Sequence, residues 1–304
     1  MMFSNQSSKF SANADNQTSK TSANADNQTS KTSANADNQT SRPPAVILFE
    51  YIGDRSGSTI NISAAQMTGL QKCISDRKED VKNTGAQCLV SITTFDDESE
   101  TWTKNLSEDS SGYVDINSLS DKFSSEELDK MLSARGSTRL IDTAVERATC
   151  FEAKLKEVQL SLKGKENDKV VAVFVLSTDG MDNASSDYEV QDLNKIVTRL
   201  RKSGVEMMFL AANQDAIGIG SVFGFAASHS ITFGANHKAT SAVYNGLSQV
   251  TRDVSSGKRV GGFTNTMRQA SAPVKHYRQS INTVKMPRSL KMSTCAPIYS
   301  KEDK

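Results

Sequence analysis

The sequence predicts an α/β fold, in which a doubly wound, mostly parallel central sheet carries helices on both faces and disordered tails lie before and after it. Three observations predict this architecture. Short and almost continuously apolar runs are typical of strands that are covered on both faces. Segments with helical spacing of apolar residues alternate with these runs over residues 45–255. The segments outside that range are polar and have no apolar periodicity.

Residues 1–42 consist mostly of an internal repeat. The unit SANADNQTSKT begins at Ser11 and again at Ser22, and SANADNQTSR follows at Ser33, so the period is eleven residues. Each unit has two alanines and no large apolar side chain, so it cannot bury enough surface to offset the entropy of ordering it. We therefore predict that residues 1–42 form a disordered tail.

The first half of the predicted domain begins after Pro43-Pro44 with the apolar run AVILFEYI, which is typical of a buried strand. Helical spacing and a second apolar run follow it. The predicted elements are a strand at 45–52, a helix at 59–82, a strand at 87–95, a short hairpin partner at 100–105, a helix at 124–132 capped by Ser124 or Ser125, and a long helix at 139–162.

The second half continues the alternation, with the apolar runs KVVAVFVLS and VEMMFLAA as buried strands. In such sheets, ligands bind outside the carboxyl ends of the strands, where the strand order reverses, so we expect a site at that edge. The predicted elements are a strand at 169–177, a helix at 186–202, a strand at 205–212, a short helix at 214–223, a small strand at 229–233 and a closing helix at 237–255.

Charge is distributed unevenly along the chain. The formal net charge is +1 over all 304 residues, but residues 258–304 carry ten basic and two acidic residues, a net of +8. Residues 1–44 carry +1, which leaves −8 for residues 45–257. We therefore predict a tail at 1–42, a domain at 43–257 and a basic, disordered tail at 258–304. The basic tail could bind an anionic partner.

Several classes of protein are disfavoured by what the sequence lacks. Its cysteines are scattered, without the CxxC spacing of a structural zinc site or the pattern of a disulfide scaffold. The first residues do not resemble a signal peptide, and no apolar run approaches the roughly 18 residues that span a bilayer. We therefore expect a cytoplasmic or otherwise intracellular protein, and no small-molecule substrate is evident.

Hard oxygen donors follow two of the predicted strands and precede the long helix. The stretch GDRSGST follows the first strand, TDGMD follows the strand at 169–177, and ARGSTRLID leads into the helix at 139–162. Oxygen donors without cysteine or histidine favour Mg²⁺ or Mn²⁺ over zinc and copper, and Ca²⁺ would need more carboxylates. The predicted ligands are Asp54, Ser56, Ser58, Thr138 and Asp179.

This pattern resembles the metal-ion-dependent adhesion site (MIDAS) of the von Willebrand factor type A (vWA) family, over about residues 45–255. FDD after the second strand and GSTRLIDTAVERA before the long helix also look typical of it, and FLAANQDAIGIGSVFGF resembles stand-alone intracellular members from microbes and their viruses. The resemblance implies a Rossmann-like vWA fold and a protein-interaction module that is not an enzyme. It also implies that the three hydroxyls ligate the metal, that the two aspartates act directly or through water, and that an Asp or Glu of a protein partner completes the shell.

Two other functions stay open at this point. Asp54 after a buried strand could be the nucleophile of a haloacid-dehalogenase-like phosphoryl-transfer enzyme, but that chemistry uses a second aspartate where this chain has Ser56. The protein could also keep the fold without the metal and serve as a structural component. Other acidic and amide side chains near these loops are read as turn residues and left out of the site, namely Asp96, Asp97, Asp182 and Asn183.

Overall fold

The computed structural model describes residues 44–107, 111–119, 124–165, 169–258 and 261–273. The chain divides into two units, residues 1–40 and 41–304, and every described residue belongs to the second. The tail predicted at 1–42 lies outside the described residues, and so do residues 274–304 of the basic tail.

Strands and helices alternate along the described residues, as predicted. The strands are β1 Val46–Asp54, β2 Gln87–Phe95, β3 Ser99–Thr101, β4 Val114–Asp115, β5 Val170–Thr178, β6 Glu206–Ala212 and β7 Ser230–Phe233. The α-helices are α1 Ser63–Thr84, α2 Ser125–Met131, α3 Leu140–Leu162, α4 Val190–Lys202, α5 Ala216–Val222, α6 His237–Ser255 and α7 Asn265–Ser271. Short 3₁₀ helices lie at Gly57–Asn61, Trp102–Leu106, Ile116–Leu119 and Ala227–His229.

The sheet is doubly wound. Its strand order is β3-β2-β1-β5-β6-β7, with β4 also paired to β2, and only β3 and β4 run antiparallel to their neighbour. The chain therefore builds outward from β1 to one side and then returns to place β5 on the other side. This confirms the predicted fold class and puts the reversal of strand order between β1 and β5, where ligand sites of such sheets lie.

Both faces of β1 are covered, which explains its nearly continuous apolar run. Ile47, Phe49 and Tyr51 lie in one core with residues of α1 and α6, whereas Leu48 and Ile52 lie in a second core with residues of α3 and α4. All five side chains are at most 2% exposed. Burying one such side chain contributes about 1.5–3 kcal/mol to folding.

One charged residue interrupts that apolar run. Glu50 is fully buried, and Arg147 of α3 donates to it from Nε (2.9 Å to Oε1) and Nη2 (3.2 Å to Oε2). The hydroxyls of Tyr113 and Ser91 also donate to its carboxylate. The carboxylate is thus paired and hydrogen-bonded, which makes its burial tolerable. This pairing fastens α3 to β1, and α3 begins two residues after Thr138.

The start of α4 differs from the prediction. The helix begins at Val190, not at residue 186, because backbone N–H groups of Ser186, Asp187 and Tyr188 donate to the carboxylate of Asp142 on α3. Burial raises the pKa of Asp142, but these hydrogen bonds and Arg139 outweigh it and hold the pKa below its usual value. Asp142 thereby ties the segment after β5 to the first turn of α3.

The predicted domain end at residue 257 and the disordered tail from 258 are wrong for residues 261–273. These residues form an ordered extension, in which Phe263 is 5% exposed and Thr264 caps α7 by accepting from the backbone N–H of Met267. Arg268 donates from Nη1 to the carbonyl of Ser230 on β7 (2.6 Å). Phe263 and Met267 pack against the core, and Thr264 caps the helix. Two apolar residues are too few to produce a helical periodicity in the sequence, so the segment was not predicted.

Three cysteines lie among the described residues. Cys73 and Cys88 are buried, Cys150 is exposed, and all three are free thiols. Among the described residues, no helix combines the length and apolar character that a membrane crossing needs.

Candidate metal centre

Asp54 is the last residue of β1 and is fully buried at the carboxyl edge of the sheet. Its Oδ1 accepts from the backbone N–H of Ser56 (2.7 Å), and its Oδ2 accepts from Thr178 Oγ1 (2.6 Å). Burial raises the pKa of the Asp54 carboxyl, while the hydrogen bonds from Thr178 and Ser56 act in the opposite direction. The end of β5 thus fixes the orientation of this carboxylate.

Asp179 follows β5 and meets the loop after β1. Ser58 Oγ donates to Asp179 Oδ1 (2.6 Å), and Ser58 Oγ also lies 3.0 Å from Ser56 Oγ. Burial raises the pKa of Asp179 to about 6; the hydrogen bond from Ser58 lowers it, and the negative charge of Asp54 adds to the increase. Two carboxylates that disfavour each other's charge would both be stabilised by a cation between them.

The loop after β1 is shaped so that Ser56 and Ser58 both reach this point. Thr59 donates from its backbone N–H (3.0 Å) and its Oγ1 (2.8 Å) to the carbonyl of Ser56, which bends the chain into the 3₁₀ helix Gly57–Asn61. Ser56 is 2% exposed, whereas Ser58 is exposed. The site therefore has a buried floor and an open outer side.

Thr138 joins the cluster from the loop that precedes α3. A Cβ placed on Gly180 would lie 3.2 Å from Thr138 Oγ1 and 3.5 Å from Ser58 Oγ, so the loop after β5 passes close to both hydroxyls. Gly57 donates its N–H to the carbonyl of Gly136 (3.2 Å), which joins the loop after β1 to the loop before α3. The structure thus brings all five predicted side chains together at one edge: Asp54, Ser56, Ser58, Thr138 and Asp179.

Asn183 and Asp182 have a role that the sequence did not reveal. The backbone N–H of Thr138 donates to Asn183 Oδ1 (2.8 Å), and the carbonyl of Thr138 accepts from the backbone N–H of Asn183 (3.0 Å). Asp182 Oδ1 accepts from the backbone N–H of Ile141 (3.2 Å) and from Ser185 Oγ (2.5 Å). These residues were predicted to form a turn; they also hold the loop that carries Thr138.

The sequence matches no protein-family model and no curated protein. Solved structures that match include proximal thread matrix protein 1 from the mussel byssus with a zinc-occupied MIDAS motif, at 17% identity and a TM-score of 0.40 over 71% of this chain and 46% of that one. A von Willebrand factor type A protein from Catenulispora acidiphila matches at 13% identity and a TM-score of 0.44, over 72% and 44% of the two chains. The SpRpn10 VWA domain matches at 16% identity and a TM-score of 0.36, over 66% and 92%.

The matched structures include von Willebrand factor type A domains and a MIDAS motif, the family and the motif that the sequence resembles. The chain spans less than half the length of the mussel and Catenulispora chains that it matches. At these identities the likeness concerns the fold alone, so the role of each residue rests on the geometry of this chain.

An ion-pair cluster around the buried carboxylate of Asp96 braces the loops beside the candidate centre. Asp96 Oδ2 accepts from Arg55 Nε (3.0 Å) and from Arg135 Nε (2.6 Å), and its Oδ1 accepts from the backbone N–H of Glu98 (2.9 Å). Burial raises the pKa of Asp96, but the hydrogen bond from Arg135 and the charges of both arginines outweigh it and lower the pKa. Asp96 is a turn residue, as predicted. Through Arg55 and Arg135 it also joins the loop that carries Ser56 to the loop that carries Thr138.

The donor set of the centre fits a hard divalent cation. Among the described residues, no three His, Cys, Asp or Glu side chains are grouped so that they could hold a metal ion, and a zinc or calcium site is usually built from such a group. The cluster combines two carboxylates with three neutral hydroxyls, and Mg²⁺ or Mn²⁺ accepts such oxygen ligands. Two carboxylates neutralise one divalent charge, and the hydroxyls add none.

Proposed function

We propose that this vWA-like domain is a metal-dependent protein-interaction module. In this proposal Asp54, Ser56, Ser58, Thr138 and Asp179 hold Mg²⁺ (or Mn²⁺) at the carboxyl edge of the sheet, and an Asp or Glu of a protein partner binds there. The observation that carries the proposal is the pair of contacts made by Ser58 Oγ, to Asp179 Oδ1 at 2.6 Å and to Ser56 Oγ at 3.0 Å. They join donors from two strand ends at one point.

The protein's own groups would orient the site. Thr178 and the backbone of Ser56 hold Asp54, and Asn183 holds the backbone of Thr138. A bound divalent cation supplies a Lewis-acidic position that a partner carboxylate can occupy. Because residues 45–257 of the sequence carry a net charge of −8, a carboxylate partner is repelled at long range and binding should depend sharply on the cation.

The surroundings of the centre suit a macromolecular partner. Ser58 is exposed, and Ile60 and Met181, each two residues beyond a predicted ligand, are 69% and 49% exposed. Exposed apolar side chains beside a polar site are typical of protein interfaces. The exposed outer side of the centre therefore supports a protein partner, in addition to the support that the oxygen donors give to a metal.

The phosphoryl-transfer alternative is less well supported by the geometry. A haloacid-dehalogenase-like enzyme would need a general acid two residues after Asp54, where Ser56 places a hydroxyl that lies 3.0 Å from Ser58 Oγ. An alcohol hydroxyl is a far weaker acid than a carboxyl group. We propose that the domain is not an enzyme. The remaining alternative is a structural component that binds no metal. A metal titration distinguishes it from the proposal, because that alternative predicts no response to Mg²⁺ or Mn²⁺.

The first test is a calorimetric and thermal-shift titration with Mg²⁺ and with Mn²⁺. Wild type should bind one ion, and the stabilisation should approach about 2.7 kcal/mol at a hundredfold excess over Kd. Asp54→Ala and Asp179→Ala should lose this response, whereas Asp129→Ala, which removes an exposed aspartate on α2, should keep it. An equal response in all four proteins would contradict the metal centre.

The second test asks whether the metal mediates partner binding. Proteins that the immobilised full chain retains in the presence of Mg²⁺ should be released by EDTA. The Thr138→Ala variant, immobilised as the same amount of folded protein, should not retain them. Substituting the acidic residues of a retained protein by amides should abolish its binding. Partners that ignore EDTA but disappear at high salt would instead support the predicted anionic partner of the basic residues 258–304.

The intracellular location expected from the sequence stays a prediction. Fractionation of the source cells with an antibody against the domain would check it.

A further inference from the structure

The sheet has two outer edges, and the chain protects them in different ways. β3 and β4 lie at one edge and pair with β2, whereas β7 forms the other edge. A free edge presents unpaired backbone N–H and C=O groups, which can pair with a strand of another molecule. We propose that the ordered extension 261–273 covers β7 against such pairing, and that the edge binds β7 of a second copy of this chain when the extension is released.

The pairing of β7 with β6 shows which of its backbone groups face outward. The carbonyl of Phe233 accepts from the N–H of Asn213, which directly follows β6, so the backbone of residue 233 faces β6. Backbone groups of successive residues in a strand point to opposite sides, so those of Ser230, Thr232 and Gly234 point away from the sheet. These are the groups that an added strand would bind.

The extension occupies these outward groups. Arg268 donates from Nη1 to the carbonyl of Ser230 (2.6 Å), and Ser271 Oγ lies 3.4 Å from the carbonyl oxygen of Thr232. The carbonyl of Ser271 accepts from the backbone N–H of Gly234 (2.9 Å). A guanidinium group, a hydroxyl and the end of a helix therefore take the places that the hydrogen bonds of a further strand would take.

The cover continues beyond both ends of β7. Before the strand, the carbonyl of Ser228 accepts from Arg268 Nη2 (2.9 Å) and from the backbone N–H of Phe263 (2.8 Å). After the strand, a Cβ placed on Gly234 would lie 3.0 Å from Pro273 Cα, so the absence of a side chain there lets the extension pass close to the edge. The extension thus follows β7 along its whole length.

The residues of β7 give it little other protection. Proteins usually disfavour edge pairing with charged residues, with proline or with very short edge strands. Residues 230–236, SITFGAN, contain neither a charged residue nor a proline, and their isoleucine, threonine and phenylalanine favour strands. The opposite edge differs, because β3 has three residues, its Glu100 is exposed, and the exposed Asp97 and Glu98 precede it. β7 is therefore the edge that needs a cover.

A second copy of the chain is the partner that this edge fits. In an antiparallel pair of β7 strands, the outward carbonyls and N–H groups of each strand face the same groups of the other, so each can donate to and accept from its copy. Residues 230–236 carry no charge, so the two strands do not repel each other. Such an interface uses the same patch on both molecules and closes as a dimer.

Sedimentation velocity and NMR-detected hydrogen exchange test the proposal in the full chain, with EDTA present so that the metal centre plays no part. Arg268→Met removes the guanidinium donors to the edge, and Phe263→Ser/Arg268→Met also removes a buried anchor of the extension. Wild type should keep one mass at all concentrations, and its Gly234 amide should exchange slowly. Both variants should form a species of twice the wild-type mass as the concentration rises. Their Gly234 amide should exchange fast in dilute samples and slowly in concentrated ones.

Matched variants control for the loss of an arginine. Arg252→Met removes an arginine of α6 that pairs with Asp76 and Asp80 of α1, so it should keep the wild-type mass and the slow exchange of Gly234. Arg268→Lys keeps the charge but lacks the two Nη groups that reach separate carbonyls, so it should dimerise less than Arg268→Met. Thermal melting followed by circular dichroism checks that each variant is folded.

Each result decides the proposal. A folded variant whose Gly234 amide exchanges fast and whose mass does not change with concentration would overturn it. Slow exchange of Gly234 that survives both substitutions would show that these contacts do not hold the cover, and this also contradicts the proposal. Association without renewed protection of Gly234 would place the new contact away from β7. Variants that do not fold at all would show that the extension serves the stability of the core rather than the protection of its edge, and the proposal would fail.

Discussion

Thr178 Oγ1 donates a hydrogen bond of 2.6 Å to Asp54 Oδ2, so the last residue of β5 orients the carboxylate at the end of β1. The two strands are neighbours only because the strand order reverses between them. The candidate centre therefore depends on a contact between residues that are 124 positions apart in the chain.

The first prediction concerns this contact. Thr178→Val keeps the side chain's shape but removes the donor, so we expect about 10–100-fold weaker Mg²⁺ binding, as for other groups that orient metal ligands. Titration calorimetry would measure the change. Thr149→Val on α3, which removes a hydroxyl that donates to the carbonyl of Val145, is the matched control and should bind Mg²⁺ like wild type. Equal affinity in both variants would contradict the role of Thr178.

The second prediction concerns Asn183. Asn183→Ala removes the acceptor for the backbone N–H of Thr138, so Mg²⁺ affinity should fall while the domain stays folded. Asn183→Asp retains an acceptor oxygen and should recover most of the affinity. If the aspartate variant is as weak as the alanine variant, the hydrogen bond to Thr138 is not what positions the loop.

A third prediction tests the buried ion pair between Glu50 and Arg147. Arg147→Met leaves a buried carboxylate without its cation, so the free energy of unfolding should fall by about 3–5 kcal/mol. Urea denaturation would measure it. Lys195→Met breaks an exposed pair with Asp192 and should change stability by less than about 1 kcal/mol. Glu50→Gln/Arg147→Met should be more stable than Arg147→Met alone, because it removes the unpaired charge.

The fourth prediction concerns pH. Because the native pKa of Asp142 is lowered, its hydrogen bonds contribute stability that is fully present above the unfolded pKa of about 3.9 and is lost as the pH falls through the native pKa. Asp142→Asn should therefore be less stable than wild type at neutral pH, and the difference should shrink on acidification below pH about 4. Asp129→Asn, on the exposed side of α2, should follow the wild-type profile. A difference that stays constant down to the acid transition would rule out this linkage.

The fifth prediction concerns the ordered segment at 261–273. A chain truncated to residues 43–260 should melt at a lower temperature than one of residues 43–273, because it lacks the buried Phe263 and the contacts of Arg268. In the longer chain, Phe263→Ala should cost about 3–5 kcal/mol. Thermal melting followed by circular dichroism would compare them. Identical melting temperatures would restore the shorter domain boundary that the sequence suggested.

The sequence predicted best the elements whose signal is local. Strand β2 and helix α6 begin and end where the apolar pattern predicts, because buried strands and amphipathic helices show their burial in the spacing of their own residues. Helix α4 begins later than predicted because Asp142, in a different helix, takes the N–H groups of residues 186–188. Helix α7 was not predicted, because its seven residues include too few apolar side chains to show a helical spacing.

The sequence by itself determined the kind of site. It fixed five oxygen donors, of which Asp54 and Asp179 come directly after apolar strands, and the chemistry of those donors does not depend on the fold. Only the tertiary structure decided that the donors meet, since that requires the register of β1 against β5 and the hydrogen bonds made by Thr178 and Asn183. The physical reason is that polar groups show no periodicity. A threonine or asparagine in a turn looks the same in sequence whether it faces water or holds a carboxylate or a backbone N–H more than 40 residues away.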